Sequence, residues 1–303
     1  MESQCLGLAE ALGVTPIVKR VTLRTPWRQL SPYLRIGLSH AYSEGSDALA
    51  PPWPDILIAT GRHSVPASLY VRRESRRAGK PTLTVQIQNP VIAPSHFDLV
   101  VTPLHDRLSG PNVISTIGAL HRVTPERLAA DAAAFAPQVA HLPRPYVGVL
   151  IGGANAAFRF VPEEMRAFAG ALRDLAKAEN VSLLVTPSRR TGDENVAILR
   201  SELSDVPAFV WDGSGANPYY GILGLADHLI VTCDSVNMIS EACATGRPVQ
   251  IFNLPGGSRK FAHFKRILRE RNLTRDFSNR LEVFIPSRIE EMSTVVEAIR
   301  KLA

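Results

Sequence analysis

Apolar positions along this chain switch repeatedly between two periods. Short runs rich in Val, Ile and Leu read as strands, and the stretches between them place apolar residues at helical spacing. In the first half, residues 17–23, 55–59, 82–87, 99–102 and 113–115 read as strands, and 4–12, 65–78 and 125–134 as helices. Residues 136–145 contain three prolines and read as a linker. The pattern then restarts with strands over 146–150, 181–185, 208–211 and 228–231, interleaved with helices over Pro162–Glu179, 194–203, Tyr219–Leu225 and 236–245. Residues 288–302 read as a closing helix that packs back across the domain junction. Such alternation builds parallel sheets covered by helices. The chain therefore reads as an α/β protein of two Rossmann-like, doubly wound domains, over 1–140 and 146–285, with a terminal helix over 286–303. Doubly wound domains ordinarily open with a strand and a glycine-containing turn. Here a helix begins near residue 3, so the expectation is either a truncated N-terminus or an N-terminal sheet that lacks its first strand.

Composition narrows the class without choosing a function. A length of 303 residues suits two domains, and 45% hydrophobic with 20% charged residues describes a soluble globular chain. No apolar run approaches the ~20 residues needed to span a bilayer, and the first residues lack a secretory pattern, so a cytoplasmic protein is expected. Cys5, Cys233 and Cys243 have neither disulfide nor zinc spacing. A net charge of +6 implies acidic partners. Arg72, Arg73, Arg76, Arg77 and Lys80 form one basic stretch and residues 259–271 another. Without interleaved aromatic residues these read as solvated helix faces rather than a nucleic-acid surface, and a nucleotide diphosphate or peripheral contact with an anionic membrane would satisfy the same charge.

The densest candidate chemistry lies where the strand over 228–231 meets the following helix. Asp234 and Ser235 would start that helix, whose first N–H groups favour an anion such as a diphosphate. Glu241 lies seven residues on, two turns along the same face, where a carboxylate can accept two neighbouring ribose hydroxyls. Helix caps and a solvated Glu241 account for the same residues. Gly152, Gly153 and Asn155 end the strand over 146–150, glycine allowing close backbone approach to a phosphate. Ser188, Arg189 and Arg190 follow the next strand, two guanidinium groups suiting phosphate oxygens. Asn217 and Tyr219 flank Pro218 at a helix start. All these loops should fall on one sheet edge. In the first domain, strand ends carry His63, His105 and Asp106, the candidates for a general base. No nucleophile triad, metalloprotease motif or P-loop appears, and the glycine spacing at 152 and 153 is not that of a dinucleotide-binding dehydrogenase.

The stretches QCLGLAEALG, TGRHSVPASL, QIQNP, FDLVVTPLHD, ISTIGALHRVTPERL, the GGAN loop, TPSRRTG and NPYYGILGLADHLIVTCDSVNMISEACATGRPV together resemble the mitochondrial-fission "elongated mitochondria" family of plants and alphaproteobacteria. The resemblance covers nearly the whole chain and is most specific over 217–249. It implies a GT-B glycosyltransferase-like architecture, with two parallel sheets facing across a cleft. The usual N-terminal strand and glycine-rich turn before QCLGLAEALG are missing, and no plant-specific extension is present, which suits a bacterial cytoplasmic member, peripheral at the inner membrane if membrane-bound.

Carried onto this sequence, the resemblance gives Gly152, Gly153 and Asn155 a close-approach role, Ser188, Arg189 and Arg190 the phosphates or base edge, Asp234 and Ser235 the diphosphate, and Glu241 the ribose. The donor would be a nucleotide-diphosphate sugar, bound without metal or tightly held cofactor, and the acceptor is open, with envelope or lipid-linked molecules among the classes implied. The expectation from another class is a non-catalytic adaptor that uses the same scaffold on a membrane or protein partner.

Overall fold

The computed structural model describes residues 2–287, 289 and 291–303. The chain forms two compact units, Met1–Arg122 with Glu290–Ala303, and Val123–Ile289.

The N-terminal unit contains α1 (Glu2–Ala11), the single turn α2 (Trp27–Leu30), β1 (Ile56–Thr60), α3 (Val65–Arg77), β2 (Leu83–Ile87), β3 (Leu99–Pro103) and β4 (Val113–Thr116). Its strands are all parallel and lie in sequence order, β1-β2-β3-β4, which leaves β1 at an edge. Pro66 in its first turn suits the start of α3, and Arg76 and Arg77 face the negative end of its dipole.

The C-terminal unit runs α4 (Pro125–Val139), β5 (Tyr146–Ile151), α5 (Pro162–Glu179), β6 (Ser182–Pro187), α6 (Asp193–Glu202), β7 (Ala208–Val210), α7 (Tyr219–Leu225), β8 (His228–Thr232), α8 (Val236–Ala244), β9 (Val249–Phe252), α9 (Arg259–Glu270) and β10 (Arg275–Asp276). Its strands are again parallel, in the order β10-β9-β8-β5-β6-β7. Every residue of β5 and β6 is buried, as expected for strands with helices on both faces. From β5 the chain steps outward to β6 and β7, then returns to pair β8 with the other side of β5. The loops after β5 and β8 therefore diverge at a topological switch point, the place where open α/β sheets receive ligands.

The last helix, α10 (Glu291–Leu302), joins the core of the N-terminal unit. Val295, Val296 and Ile299 pack with Leu8, Val85, Ile87, Leu99, Val101 and Leu120. The Glu291 carboxylate accepts the N–H groups of Ile117 and Gly118 just after β4.

Several expectations require correction. Residues 17–23 form no strand: Arg24 donates its N–H to the Ala41 carbonyl, Ser43 donates to Thr22 and Asp47 to Arg20, so the segment pairs irregularly with a later loop rather than with a sheet. The expected linker over 136–145 is largely helix. α4 continues through Pro137 because Phe135 and Val139 are buried, and α7 opposes it with glycines that permit close approach. A Cβ on Gly221 would come within 2.6 Å of the Phe135 Cβ. The units accordingly divide before α4 and before α10, not at 140–146 and 286. Of the closing helix expected over 288–302, Arg288 and Glu290 lie outside the described residues.

Gly224 provides a direct check on this packing. A Cβ there would lie 2.5 Å from the Leu128 carbonyl oxygen and 2.9 Å from the Ala132 Cβ. Gly224→Ala should lower the unfolding free energy by about 1–3 kcal/mol, the usual range for overpacking, measured by urea denaturation.

Candidate functional site

The site begins with β8, whose buried apolar run ends at Thr232 and leaves Asp234 at the switch point beside the end of β5. The Asp234 side chain is buried, and its oxygens are fully engaged by this chain. Oδ2 accepts the Gly153 N–H (3.0 Å) and pairs with the Arg190 guanidinium (2.7 Å), while Oδ1 accepts the Thr232 hydroxyl (2.7 Å). Thr232 in turn accepts the Gly152 N–H (2.8 Å). Glycine is required at both loop positions: a Cβ on Gly152 would overlap the Asp234 carboxylate, and one on Gly153 the Arg190 carbonyl.

The loop after β6 closes on the same point. Ser188 Oγ and Thr191 Oγ1 both donate to the Gly152 carbonyl (2.8 and 2.5 Å), and Arg190 also donates to the Gly153 carbonyl (3.1 Å). Asn155 Nδ2 donates to the Asp234 carbonyl (3.2 Å), while its Oδ1 accepts the N–H groups of Ala157 and Phe158. Ser235 caps α8 by accepting the Met238 N–H (3.3 Å). Three strand ends are thus tied together around one carboxylate. Arg189, exposed beside Arg190, has no carboxylate within ion-pair distance among the described residues, which leaves its guanidinium open to a ligand.

Glu241 does not lie on a solvated face. It is buried on α8, with Oε2 accepting the Tyr219 hydroxyl (2.7 Å) and Oε1 that of Tyr220 (3.5 Å). Arg127 stacks on the Tyr220 ring, 4.0 Å from its centroid. Burial raises the Glu241 carboxyl above its ordinary range, with the two phenols and Arg127 partly offsetting it. Burial and the adjacent Glu241 push the Tyr219 phenol up in the same way. Asn217 connects this cluster to the sheet edge, accepting both the Thr186 hydroxyl (3.3 Å) and the Tyr219 N–H (3.0 Å) through Oδ1.

Sequence reasoning missed the loop between β9 and α9. Gly256 and Gly257 have φ of 107° and 124°, and Ser258 caps α9. Gly256 forms a bridge with Phe158. A cavity of about 290 Å³ lies here, lined by Phe158, Phe261, Ser258 and Lys265 among others. The Gly-Gly-Ser run before a basic helix was the available signal.

In the N-terminal unit the expected base candidates separate. His63 is exposed at the end of β1, where its Nε2 accepts from Arg62 Nε (3.2 Å). Partial burial and the nearby Arg62 and Arg28 lower its pKa, which favours neutral imidazole. His105 is buried, its Nε2 lying 3.9 Å from Asp106 Oδ1, and Asp106 accepts the Thr102 hydroxyl (3.2 Å). His63 and the His105–Asp106 pair therefore occupy different environments. No group of three or more potential metal ligands occurs among the described residues.

Residues 1–302 match the family described as Mitochondrial fission ELM1. The chain belongs to that family. It is 32% identical over 249 residues to the mitochondrial fission protein ELM1 of Arabidopsis thaliana, an alignment covering 74% of this chain and 57% of the plant protein. A Rickettsia prowazekii relative of unassigned function is 25% identical over 287 residues, covering 82% and 79% of the two chains. Among solved structures, a UDP-GlcNAc 2-epimerase from Neisseria meningitidis bound to UDP-GlcNAc aligns with a TM-score of 0.47 and 13% identity, over 82% of this chain and 76% of that one. Each of the two units is built on a parallel sheet, as the family resemblance implies.

The buried Glu241 gives this family member a pH signature. A raised folded-state pKa means that the native protein binds more protons than the unfolded chain above the ordinary Glu range. The corresponding stability is therefore full at acid pH and is lost as pH rises through the folded pKa. Glu241→Gln, neutral throughout, should flatten this decline in urea denaturation measured across a pH series; an unchanged slope would exclude Glu241 as its source.

Proposed function

We propose that the C-terminal unit binds a nucleotide-diphosphate sugar at the switch point and that the family member acts as a metal-independent glycosyltransferase. The observation that carries this reading is the convergence of the loops after β5, β6 and β8 on one point, with Arg189 open to an anion. Asp234 serves as the keystone of that point rather than as a direct ligand group. Arg190 neutralises it, so that Arg189 and the first N–H groups of α8 define the anion-binding side. The cavity beside Phe158 and Lys265 offers space for the sugar.

In such a transfer an acceptor hydroxyl attacks the anomeric carbon, its proton passes to a base, and the nucleoside diphosphate leaves with the bonding electrons. Positive groups at the switch point stabilise that departing charge. His63 is the base candidate with solvent access, and it acts once Arg62 releases its Nε2. An envelope or lipid-linked molecule is the acceptor class proposed.

A non-catalytic adaptor on the same scaffold is the second reading. It is favoured by the internal engagement of both carboxylates: Asp234 is held by Gly153, Thr232 and Arg190, and Glu241 by Tyr219 and Tyr220. Calorimetric titration with UDP- and GDP-sugars separates the two. Binding is expected, and Arg189→Ala should weaken it more than about tenfold, roughly 1.4 kcal/mol, without changing thermal stability. Folded protein that gives no heat with any member of the panel would leave the adaptor.

A further inference from the structure

The basic stretch of α3 is neutralised in the structure, and that of α9 is neutralised in part. In α3 and just beyond it, Arg72 pairs with Asp98 (2.7 Å), Arg73 and Arg77 with Glu74 (2.8 and 3.0 Å), and Lys80 with Asp55 (3.0 Å). On α9, Arg266 pairs with Glu270 (2.6 Å) and Arg269 with Asp276 (2.8 Å). A basic stretch with no acidic residue of its own lies elsewhere. Between Glu10 and Glu44 the sequence carries Lys19, Arg20, Arg24, Arg28 and Arg35 and no acidic residue. Among the described residues Arg20 alone of these forms an ion pair, with Glu2.

The centre of that stretch is a closed loop. The Trp27 indole N–H donates to the Ile36 carbonyl (2.9 Å), joining the ends of residues 27–36. Ser31, Pro32 and Leu38 are buried and anchor the loop, Ser31 by donating its hydroxyl to the Arg62 carbonyl (2.9 Å). Trp27 and Leu34 are half-buried, and three other large side chains face outward. Leu30, Tyr33 and Ile36 are 51%, 67% and 81% exposed. Around them stand Arg24, lying 5.6 Å from the Trp27 ring centroid, Arg28, Arg35, whose guanidinium meets His96, and Arg62. None of these four arginines has a carboxylate within ion-pair distance among the described residues.

We propose that the loop over residues 27–36 docks the N-terminal unit on an anionic lipid surface. Charge complementarity selects the occupant: arginines without acidic partners meet lipid phosphates, and the aliphatic and aromatic tips enter the interfacial layer between them. Tyr33 suits that layer, having an apolar ring and a polar end. An acidic protein surface would satisfy the arginines and leave three large apolar side chains in water. A neutral apolar surface would leave the charges without partners. The contact is peripheral, since among the described residues no helix is long and apolar enough to cross a membrane. The inference involves only the N-terminal unit and is independent of the nucleotide-sugar reading.

The test uses the full chain and phosphatidylcholine vesicles prepared with or without phosphatidylglycerol. Co-sedimentation with the anionic vesicles is expected, with release at high salt and little binding to the neutral ones. Each basic residue near such a surface contributes about fivefold to partitioning, so Arg28→Gln with Arg35→Gln should weaken it about 25-fold. Tyr33→Ser with Ile36→Ser should abolish it. A second readout does not depend on these variants: a tryptophan introduced by Ile36→Trp should shift to the blue with anionic vesicles, whereas one introduced by Val283→Trp, at an exposed position of the C-terminal unit, should not. Absence of binding to anionic vesicles overturns the proposal. So does equal binding to neutral vesicles, or binding that both double variants retain.

Discussion

A carboxylate buried at the reversal of strand order governs the C-terminal unit. Asp234 would carry a heavy desolvation penalty if left alone, so the surrounding chain is arranged to satisfy it. Thr232 donates from its own strand, Gly153 from β5, and Arg190 from the loop after β6. The two glycines are the steric counterpart of that demand, because any side chain there would occupy the position of the carboxylate or of the Arg190 backbone. Removing the charge would leave a donor from each of three loops unsatisfied at once. The rim thus behaves as one unit rather than as loops that happen to be neighbours.

The same principle separates the second buried carboxylate from the first. Asp234 is compensated by a cation and a main-chain donor, whereas Glu241 is surrounded chiefly by neutral phenols, with Arg127 stacked beyond Tyr220. Phenol donors stabilise the ionised form only partly, which is why burial dominates its titration. One group therefore fixes geometry, and the other ties α7 to α8 while responding to proton concentration.

Much of the fold was legible because parallel strands and their covering helices have strong periodic signatures. α5 and α7 span the ranges read from the sequence, since Pro162 and Pro218 mark their starts and apolar spacing fixes their extent. Reading failed where tertiary contacts overruled local chemistry. Pro137 suggested a linker, yet Phe135 and Val139 keep α4 helical against the glycine face of α7. The β-branched residues of 17–23 suggested a strand but found hydrogen-bond partners in a loop. At the site, the rim residues were recognisable by type and by their position after strands, and the structure brings Gly152, Gly153, Asn155, Ser188, Arg190 and Asp234 into direct contact. The burial of Glu241 was not legible, because the tyrosines that enclose it lie on a different helix. Nor could ion pairing be counted from composition, which drew attention to α3 and α9 rather than to the loop over 27–36.

The placement of α10 bears on the order in which the molecule is built. Residues 123–289 form a complete unit, while the core around Leu8, Val85 and Val101 lacks Val295, Val296 and Ile299 until the last turns of chain are available. During synthesis the unit encoded second can therefore finish first. Meanwhile the unit encoded first waits with an apolar face uncovered, a period in which it is open to chaperones and to self-association, until a helix made some 170 residues later closes it.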